Sequence, residues 1–424
     1  MGHEHVLVVG GGRELPGLLR QHRPGTRTSV LCQLSLLPKI RQAGEHARVF
    51  SLPADSPDEE WIALARAVHE RDPFTRLATF GERDQWRAAV IGAALGLRTH
   101  SPDTIAAVHD KRRMREVLAV AGVEQVRCAL LGSAEELASW VEEHGGRWVV
   151  KPVDGSGSAG VALLDDPVQA PRVYQRCVAS RHTGRTGAPE VLVEEYLTGP
   201  QISVEALSED GEHQVVAVTR KYSDPVTFVE LGHVIPAPLP TAEREAVVSH
   251  VARVLTALGI RDGVSHTELV LTEHGPRTIE THVRPAGDEI PYLVHDATGV
   301  DMLDCLVRQT LGEPVLEAVR ERLSRPGGPA QAIWFGAAPC AGRLLRVDGL
   351  DQARALGPDV RVELEVAEGD EVGELADSGS RVLWARATGE DPETAVRRAR
   401  EAVARCRLVL SAAPVPDQDP GNLL

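Results

Sequence analysis

Apolar residues recur along this chain in two rhythms, and the alternation between them sets out the elements. Short apolar runs at "HVLVVGGGRELPGLLRQ" (5–21), "RTSVLCQL" (27–34) and "RLATFG" (76–81) predict strands, the first leading through a glycine turn into a helix. Between and after them, "DEEWIALARAVHER" (58–71) and "ERDQWRAAVIGAALGL" (82–97) carry helical periodicity. Strands alternating with helices in this way predict a parallel sheet covered on both faces. Further on, "DKRRMREVLAVAGV" (110–123) reads as a helix stopped by Gly122, and "RWVVKPVDGSGSAGVALL" (147–164) as strand, glycine loop, strand. "EVLVEEYLTGPQISVEALS" (190–208) predicts two strands about a short connection, "QVVAVTRKYS" (214–223) another strand, and "EREAVVSHVARVLTALGI" (243–260) a long amphipathic helix. A turn-rich "SRPGGPAQ" (324–331) reads as a linker to a last region of short strands and one helix, "DPETAVRRAREAVARC". The tail "PVPDQDPGNLL" is expected to be mobile.

The 424 residues allow about three domains at about 150 residues each. A hydrophobic share of 42% is enough for ordinary cores. No apolar run approaches the roughly 20 residues that span a bilayer, and no signal peptide is read at the N-terminus, so a cytoplasmic protein without membrane partners is expected. Six scattered cysteines without a CxxC pair read as thiols in a reducing compartment. A net charge of -15 argues against bulk binding to nucleic acid, though not against a nucleotide in a local cationic pocket. Only four of the 46 basic residues are lysine: Lys39, Lys111, Lys151 and Lys221. A lysine kept against so strong an arginine bias suits a tight phosphate contact, where a compact ammonium is needed; for Lys39 the reading is drift.

"VSHTELVLTEHGPRTIETHVRPAGDEI" reads as a hairpin about "TEHGP". Alternation puts Glu280, His282 and Arg284 on one face and Ile279, Thr281 and Val283 on the other. Direct pairing of Glu268 with Glu280 sets Thr267 opposite Thr281, His266 opposite His282 and Leu269 opposite Ile279. Two like charges opposite each other are unfavourable unless a cation lies between them. Mg²⁺ accepts one or two carboxylates and completes its shell with water and phosphate oxygens, and Arg284 extends the row toward a phosphate or an oxyanion. An ordinary solvated face is the competing reading. The Gly/Ser loop after Lys151 exposes backbone N–H groups suited to phosphates, but no GK[ST] follows, so it is not a Walker loop.

In order, these motifs are "DK" on a helix, "VVKP" with its Gly/Ser loop, "VEEYLTGP", and E…ExxxR on a hairpin. That order resembles the ATP-grasp ligase superfamily over about residues 105–325, and its dipeptide-forming L-amino-acid ligases in particular. The resemblance implies an α/β protein, α+β within the grasp. Its parts would be an N-terminal parallel-sheet domain preceding the grasp (1–105), a two-part ATP-grasp domain (106–190 and 191–325) and a small C-terminal α+β domain (326–424). It implies that Lys111, Lys151 and Lys221 meet ATP phosphates and that Ser156, Gly157 and Ser158 form the loop over them. Glu194, Glu195 and Leu197 match the adenine-reading hinge, and Gln201 stands where the family has a ribose-binding acid. Glu268 and Glu280, with His282 where relatives carry asparagine, match the metal ligands, for two Mg²⁺ ions with Mn²⁺ as the alternative. Arg284 matches the catalytic arginine, and Ala286 replaces one glycine of the family's RxGG run. Glu82, His233 and Gly287 are candidate substrate contacts. Glu82 would hold an ammonium group, against the plain reading of a carboxylate at a helix N-terminus. The implied partners are small amino-acid substrates, with a homodimer as the assembly to test.

The implied activity is ATP- and Mg²⁺-dependent joining of an amino-acid carboxylate to an amine through an acyl phosphate. A carboxylase or nucleotide-biosynthesis ligase of the same fold is the runner-up. An NAD-dependent oxidoreductase built on Gly10 and Gly12 is disfavoured, because Leu15 stands at the third glycine position of GxGxxG. A nucleotide-binding module without turnover is the remaining alternative.

Overall fold

The computed structural model describes residues 4–153, 157–180 and 190–412. Ser156 and the tail from 413 onward lie outside the described residues. Strands β1 (His5–Val9), β2 (Arg27–Gln33), β3 (Arg48–Leu52) and β4 (Arg76–Thr79) form a parallel sheet in the order β3-β2-β1-β4. Every residue of β1 is buried, because helices cover both faces. Val6, Val8 and Val30 pack with Leu15 and Leu19 on one side. Leu7, Val9 and Leu31 pack with Trp61 and Ala65 on the other. The turn after β1 uses Gly10 at φ 89°. A Cβ there would collide with the Asp84 carboxylate, so this glycine serves packing by a buried acid.

Ser101 Oγ caps the helix Pro102–His109 by accepting from Thr104 N at 3.1 Å. Asp110 Oδ1 caps the next, Lys111–Val120, by accepting from Arg113 N at 3.0 Å. Consecutive caps of this kind place Lys111 at the first helical position. Strands β5 (Cys128–Leu131), β6 (Trp148–Pro152), β7 (Ala162–Leu164) and β8 (Val191–Glu195) make an antiparallel sheet in the order β5-β8-β6-β7. Its core joins Trp148, Val150, Val191 and Val193 to Leu137, Val141 and Cys177 of two covering helices.

The chain continues through β9 (Gln201–Glu209), β10 (Glu212–Ser223), β11 (Glu230–Ile235), β12 (Gly263–Thr272) and β13 (Gly275–His282). It ends in β14 (Ala330–Ala337), β15 (Gly342–Asp348), β16 (Arg361–Leu364), β17 (Glu371–Val372), β18 (Arg381–Gly389) and β19 (Arg407–Ala412). Two compact units result. The first comprises Met1–Val126, Ser203–Val218 and Leu239–Gly327; the second comprises Arg127–Ile202, Thr219–Pro238 and Gly328–Leu424. In the first, the strands of the later segments run β13-β12-β9-β10; in the second they run β10-β11-β14-β18-β16, with a small sheet β17-β15-β19. The second unit's C-terminal core packs Ala395, Ala399 and Ala402 of the helix Pro392–Arg405 onto Ala332, Leu383 and Ala385. No helix among the described residues is long and apolar enough to cross a membrane.

The β12–β13 hairpin pairs His266 with His282, Thr267 with Thr281 and Glu268 with Glu280, as the alternation predicts. Beyond that the register slips. Leu269 stands opposite Thr278, not Ile279, because a bulge follows Glu268. A bulge takes backbone groups out of the ladder, and here buried charges receive them. Glu124 Oε2 accepts from Thr278 N at 2.9 Å. The Arg115 guanidinium donates to the carbonyls of Thr278 and, at 3.2 Å, Ile279. Arg115 and Glu124 are themselves paired at 3.3 Å with side chains 3% and 1% exposed. His250 Nε2 lies 3.2 Å from Thr278 Oγ1 and 3.3 Å from Glu124.

Candidate active site

In the first unit, the carboxylate face of the hairpin is a row of alternating charge. Lys111 Nζ lies 2.8 Å from Glu280 Oε2. The other oxygen of Glu280 meets His282 Nε2 at 3.1 Å. His282 Nδ1 faces Glu82 at 3.3 Å, and Arg284 Nε donates to the same Glu82 oxygen at 2.9 Å. On the neighbouring strand, His266 lies 3.0 Å from Glu205 and 3.2 Å from Glu268. The two imidazoles stack across the strands with centroids 5.9 Å apart. The cation required between the paired carboxylates is thus supplied on Glu280 by Lys111 and on Glu268 by an imidazole.

The protonation states follow from these contacts. Burial alone would lower the His266 pKa, but Glu205 and Glu268 raise it to about 10. Burial likewise opposes charge on His282, and Glu280 and Glu82 raise it nonetheless. Burial would raise the Glu280 carboxyl; Lys111 and His282 hold it well below the carboxylate range. Glu82 is held low in the same sense by His282 and Arg284. Both His282 nitrogens thus face carboxylate oxygens, Glu280 on one side and Glu82 on the other.

The turn after β4 fixes the exit of β13. It carries Glu82, and next to it the buried Gln85 donates to the Val283 carbonyl at 3.0 Å, with His109 Nε2 2.8 Å from its Oε1. Glu82 therefore grips Arg284 and His282, a placement different in kind from a bare helix N-terminal carboxylate. After Arg284 the chain turns through Asp288 at φ 55° and Glu289 at φ 61° into the helix Ile290–Thr298. A Cβ on Gly287 would meet no described atom within 4 Å, so packing does not demand glycine there.

Among the described residues no group of three or more His, Cys, Asp or Glu side chains is arranged to hold a metal unaided. Glu268 and Glu280 offer two hard oxygen donors from directly paired positions. That donor set fits Mg²⁺, which draws its remaining ligands from water and phosphate.

In the second unit, Lys151 closes β6 and pairs with Glu194 of β8, their side chains 8% and 6% exposed. Glu195 is engaged by Arg127, which donates Nε to Oε2 at 2.9 Å, and Leu197 is half-buried on the connection that follows. Gln201 Oε1 accepts from Ser223 Oγ at 3.1 Å. Lys221 Nζ lies 3.1 Å from Glu230 Oε1 and stands opposite His233 in the β10–β11 ladder. His233 is buried, its ring edge-on to Phe335 at 6.0 Å. Gly157 and Ser158 both adopt left-handed backbone at φ 61°. Lys39, by contrast, is exposed.

Local alternation did not single out Glu205, Glu230, Arg115, Glu124 or Ser378. For Glu205 a signal existed: it is the one acid inside the otherwise uncharged run "QISVEALS". The others act through partners distant in sequence.

Residues 146–291 match the model of the ATP-grasp domain, and residues 334–411 match that of the L-amino acid ligase C-terminal domain 2. Dapdiamide A synthase from Enterobacter agglomerans is 26% identical over 58% of this chain and 60% of its own length. Alanine–anticapsin ligase from Bacillus subtilis is 25% identical over 60% of this chain and 57% of its own. The chain thus spans about three-fifths of these curated relatives. Among solved structures, the L-amino acid ligase from Bacillus licheniformis superposes with a TM-score of 0.78 at 21% identity, over 96% of this chain and 99% of that one. That likeness establishes the shared fold.

Proposed function

Because this chain is an ATP-grasp protein carrying the C-terminal domain of L-amino acid ligases, we propose that it joins an amino-acid carboxylate to an amine at the expense of ATP. The observation that carries the reading is the direct pairing of Glu268 with Glu280, Lys111 on one side and Arg284 further along the row. The names of the two ligase relatives support the substrate class.

A carboxylate is a poor electrophile toward an amine, so it must first be activated. In the proposed reaction one carboxylate oxygen attacks the γ-phosphorus of ATP, the bond to the β-phosphate oxygen breaks, and ADP leaves. The amine then attacks the acyl carbon, loses a proton, and the acyl C–O bond breaks to release phosphate. Lys151 and Lys221 bind and orient the phosphates, with Gly157 and Ser158 beside them. Glu194, Glu195 and Leu197 form the adenine edge, and Gln201 meets the ribose. Arg284, oriented by Glu82, neutralises the acyl phosphate and the tetrahedral oxyanion; such positioning and charge complementarity are the main sources of rate in phosphoryl transfer. Glu268 and Glu280 would hold Mg²⁺, which neutralises phosphate charge when bound. His282, donating to Glu280 and Glu82, keeps the carboxylates in place. Gly287 and His233 are the proposed substrate neighbours. The dinucleotide alternative is disfavoured by Leu15, which stands at the third glycine position of GxGxxG.

A phosphate-release screen over pairs of amino acids, with mass detection of products, tests the proposal. ADP, phosphate and an amide formed together are expected. Bicarbonate dependence would instead support the carboxylase reading, and AMP with pyrophosphate would exclude the acyl-phosphate route.

A further inference from the structure

The second unit contains a contact between the segment after Lys151 and the C-terminal region that the proposed chemistry does not yet use. The 3-10 turn Ser378–Ser380 is fixed by a capping box, with Asp377 and Ser380 bonded reciprocally. Arg381 Nε donates to the Ser378 carbonyl at 2.9 Å, and its guanidinium lies over Phe335 at 3.9 Å. Ser378 is thereby held so that its two donors point at different partners. Its backbone N–H donates to the Gly157 carbonyl at 3.1 Å. Its hydroxyl donates to Glu230 Oε2 at 3.2 Å. Glu230 in turn gives its other oxygen to Lys221 Nζ at 3.1 Å.

Two non-glycine residues in left-handed backbone lie in the same place. Ser158 at φ 61° donates its hydroxyl to the carbonyl of Phe228, itself at φ 62°, at 3.0 Å. Phe228 is held by Asp224, whose Oδ1 accepts from Val226 N, Thr227 N and Thr227 Oγ1, and whose carbonyl accepts from Phe228 N. Local strain of this kind persists only where surrounding contacts over-determine it.

We propose that Ser378 is a positioning residue for the nucleotide, fixing the Lys221 ammonium through Glu230 and Gly157 through its own backbone. This rests on the reading of Lys221 and Gly157 as phosphate contacts. The physical reason lies in how Glu230 divides its oxygens. With the Ser378 hydroxyl on Oε2, Glu230 meets the ammonium through Oε1 and its carboxylate is held in one orientation. Without the hydroxyl, the carboxylate is free to rotate, take Lys221 on both oxygens and draw it from the phosphate. Serine serves because its hydroxyl donates without adding charge, leaving the Glu230–Lys221 pair balanced.

The test is a double-mutant cycle in the full-length protein, read by the Kd for MgATP and by the separate KM values for ATP and the amino acids. Ser378→Ala removes the hydroxyl and leaves the backbone bond to Gly157. It is expected to weaken ATP about tenfold, the worth of one charge-assisted hydrogen bond, with amino-acid KM values unchanged. Ser378→Thr, which keeps a hydroxyl, should recover most of the loss. In a Lys221→Met background Ser378→Ala should have no further effect, since the residue it acts through is gone. Glu230→Gln replaces Lys221→Met should the latter not fold. A Ser378→Ala protein with normal ATP affinity, or a loss that simply adds to that of Lys221→Met, overturns the inference and leaves the proposed function standing. Unaltered ATP affinity in folded Lys221→Met overturns the phosphate reading of Lys221 and the inference with it.

Discussion

Lys111, Lys151 and Lys221 each sit against a glutamate, in a chain whose other basic residues, Lys39 apart, are all arginine. This gives Lys151 two roles that mutation separates. Lys151→Ala should slow turnover by about 30-fold to 1,000-fold, the equivalent of 2–4 kcal/mol of transition-state stabilisation. It should also destabilise the second unit, because Glu194 then lies buried without this counter-charge. Adding Glu194→Gln should restore the urea midpoint and not the rate. A folded Lys151→Ala protein with near-normal kinetics would remove the phosphate assignment. His282 is the other residue with a divided reading. Both its nitrogens face carboxylates, which raise its pKa, so His282→Asn should lower the rate and leave the Mg²⁺ to Mn²⁺ preference ratio unchanged. A shift of that ratio toward Mg²⁺ in activity titrations would show direct ligation instead.

The β12–β13 hairpin marks how far sequence reading reaches at the scale of an element. Alternation gave three pairs, of which His266–His282 and Glu268–Glu280 build the carboxylate row and Thr267–Thr281 lies on the opposite, buried face. It failed at Leu269, where the bulge is stabilised by Arg115 and Glu124, residues more than 150 positions away along the chain. No local pattern encodes such a partner, and the same holds for the Glu82 grip on Arg284, a contact spanning 202 positions. The lysine bias, a property of composition, singled out Lys151 and Lys221, and each pairs with a glutamate in the second unit. For β3, "RVFSL" is only five residues with half-buried side chains, too little periodicity to stand out. Arg115→Met should cost about 3–5 kcal/mol in denaturant unfolding, the usual result of stranding one member of a buried pair. Much of that should return in Arg115→Met/Glu124→Leu, while activity stays low because the bulge that sets Glu280 has lost both its donor and its acceptor. An unfolding midpoint for Arg115→Met equal to that of the wild type would mean the bulge is held by the strands alone.

At the scale of the whole molecule, the order of motifs along the chain carried more than any one of them, since each alone fits several folds and the series fits one. The fold so reached agrees with the 0.78 superposition on an L-amino acid ligase. Each unit carries its own charged cluster, and the proposed reaction is an activation of a carboxylate by ATP. The order of bond making leaves an isotopic trace: the carboxylate oxygen that attacks the γ-phosphorus leaves with phosphate when the amide forms. With a productive pair of amino acids from the screen, the carboxylate donor labelled with ¹⁸O should yield inorganic phosphate carrying one ¹⁸O atom per amide formed, alongside unlabelled ADP. Label recovered in AMP, or phosphate released without label while amide accumulates, would contradict the acyl-phosphate account.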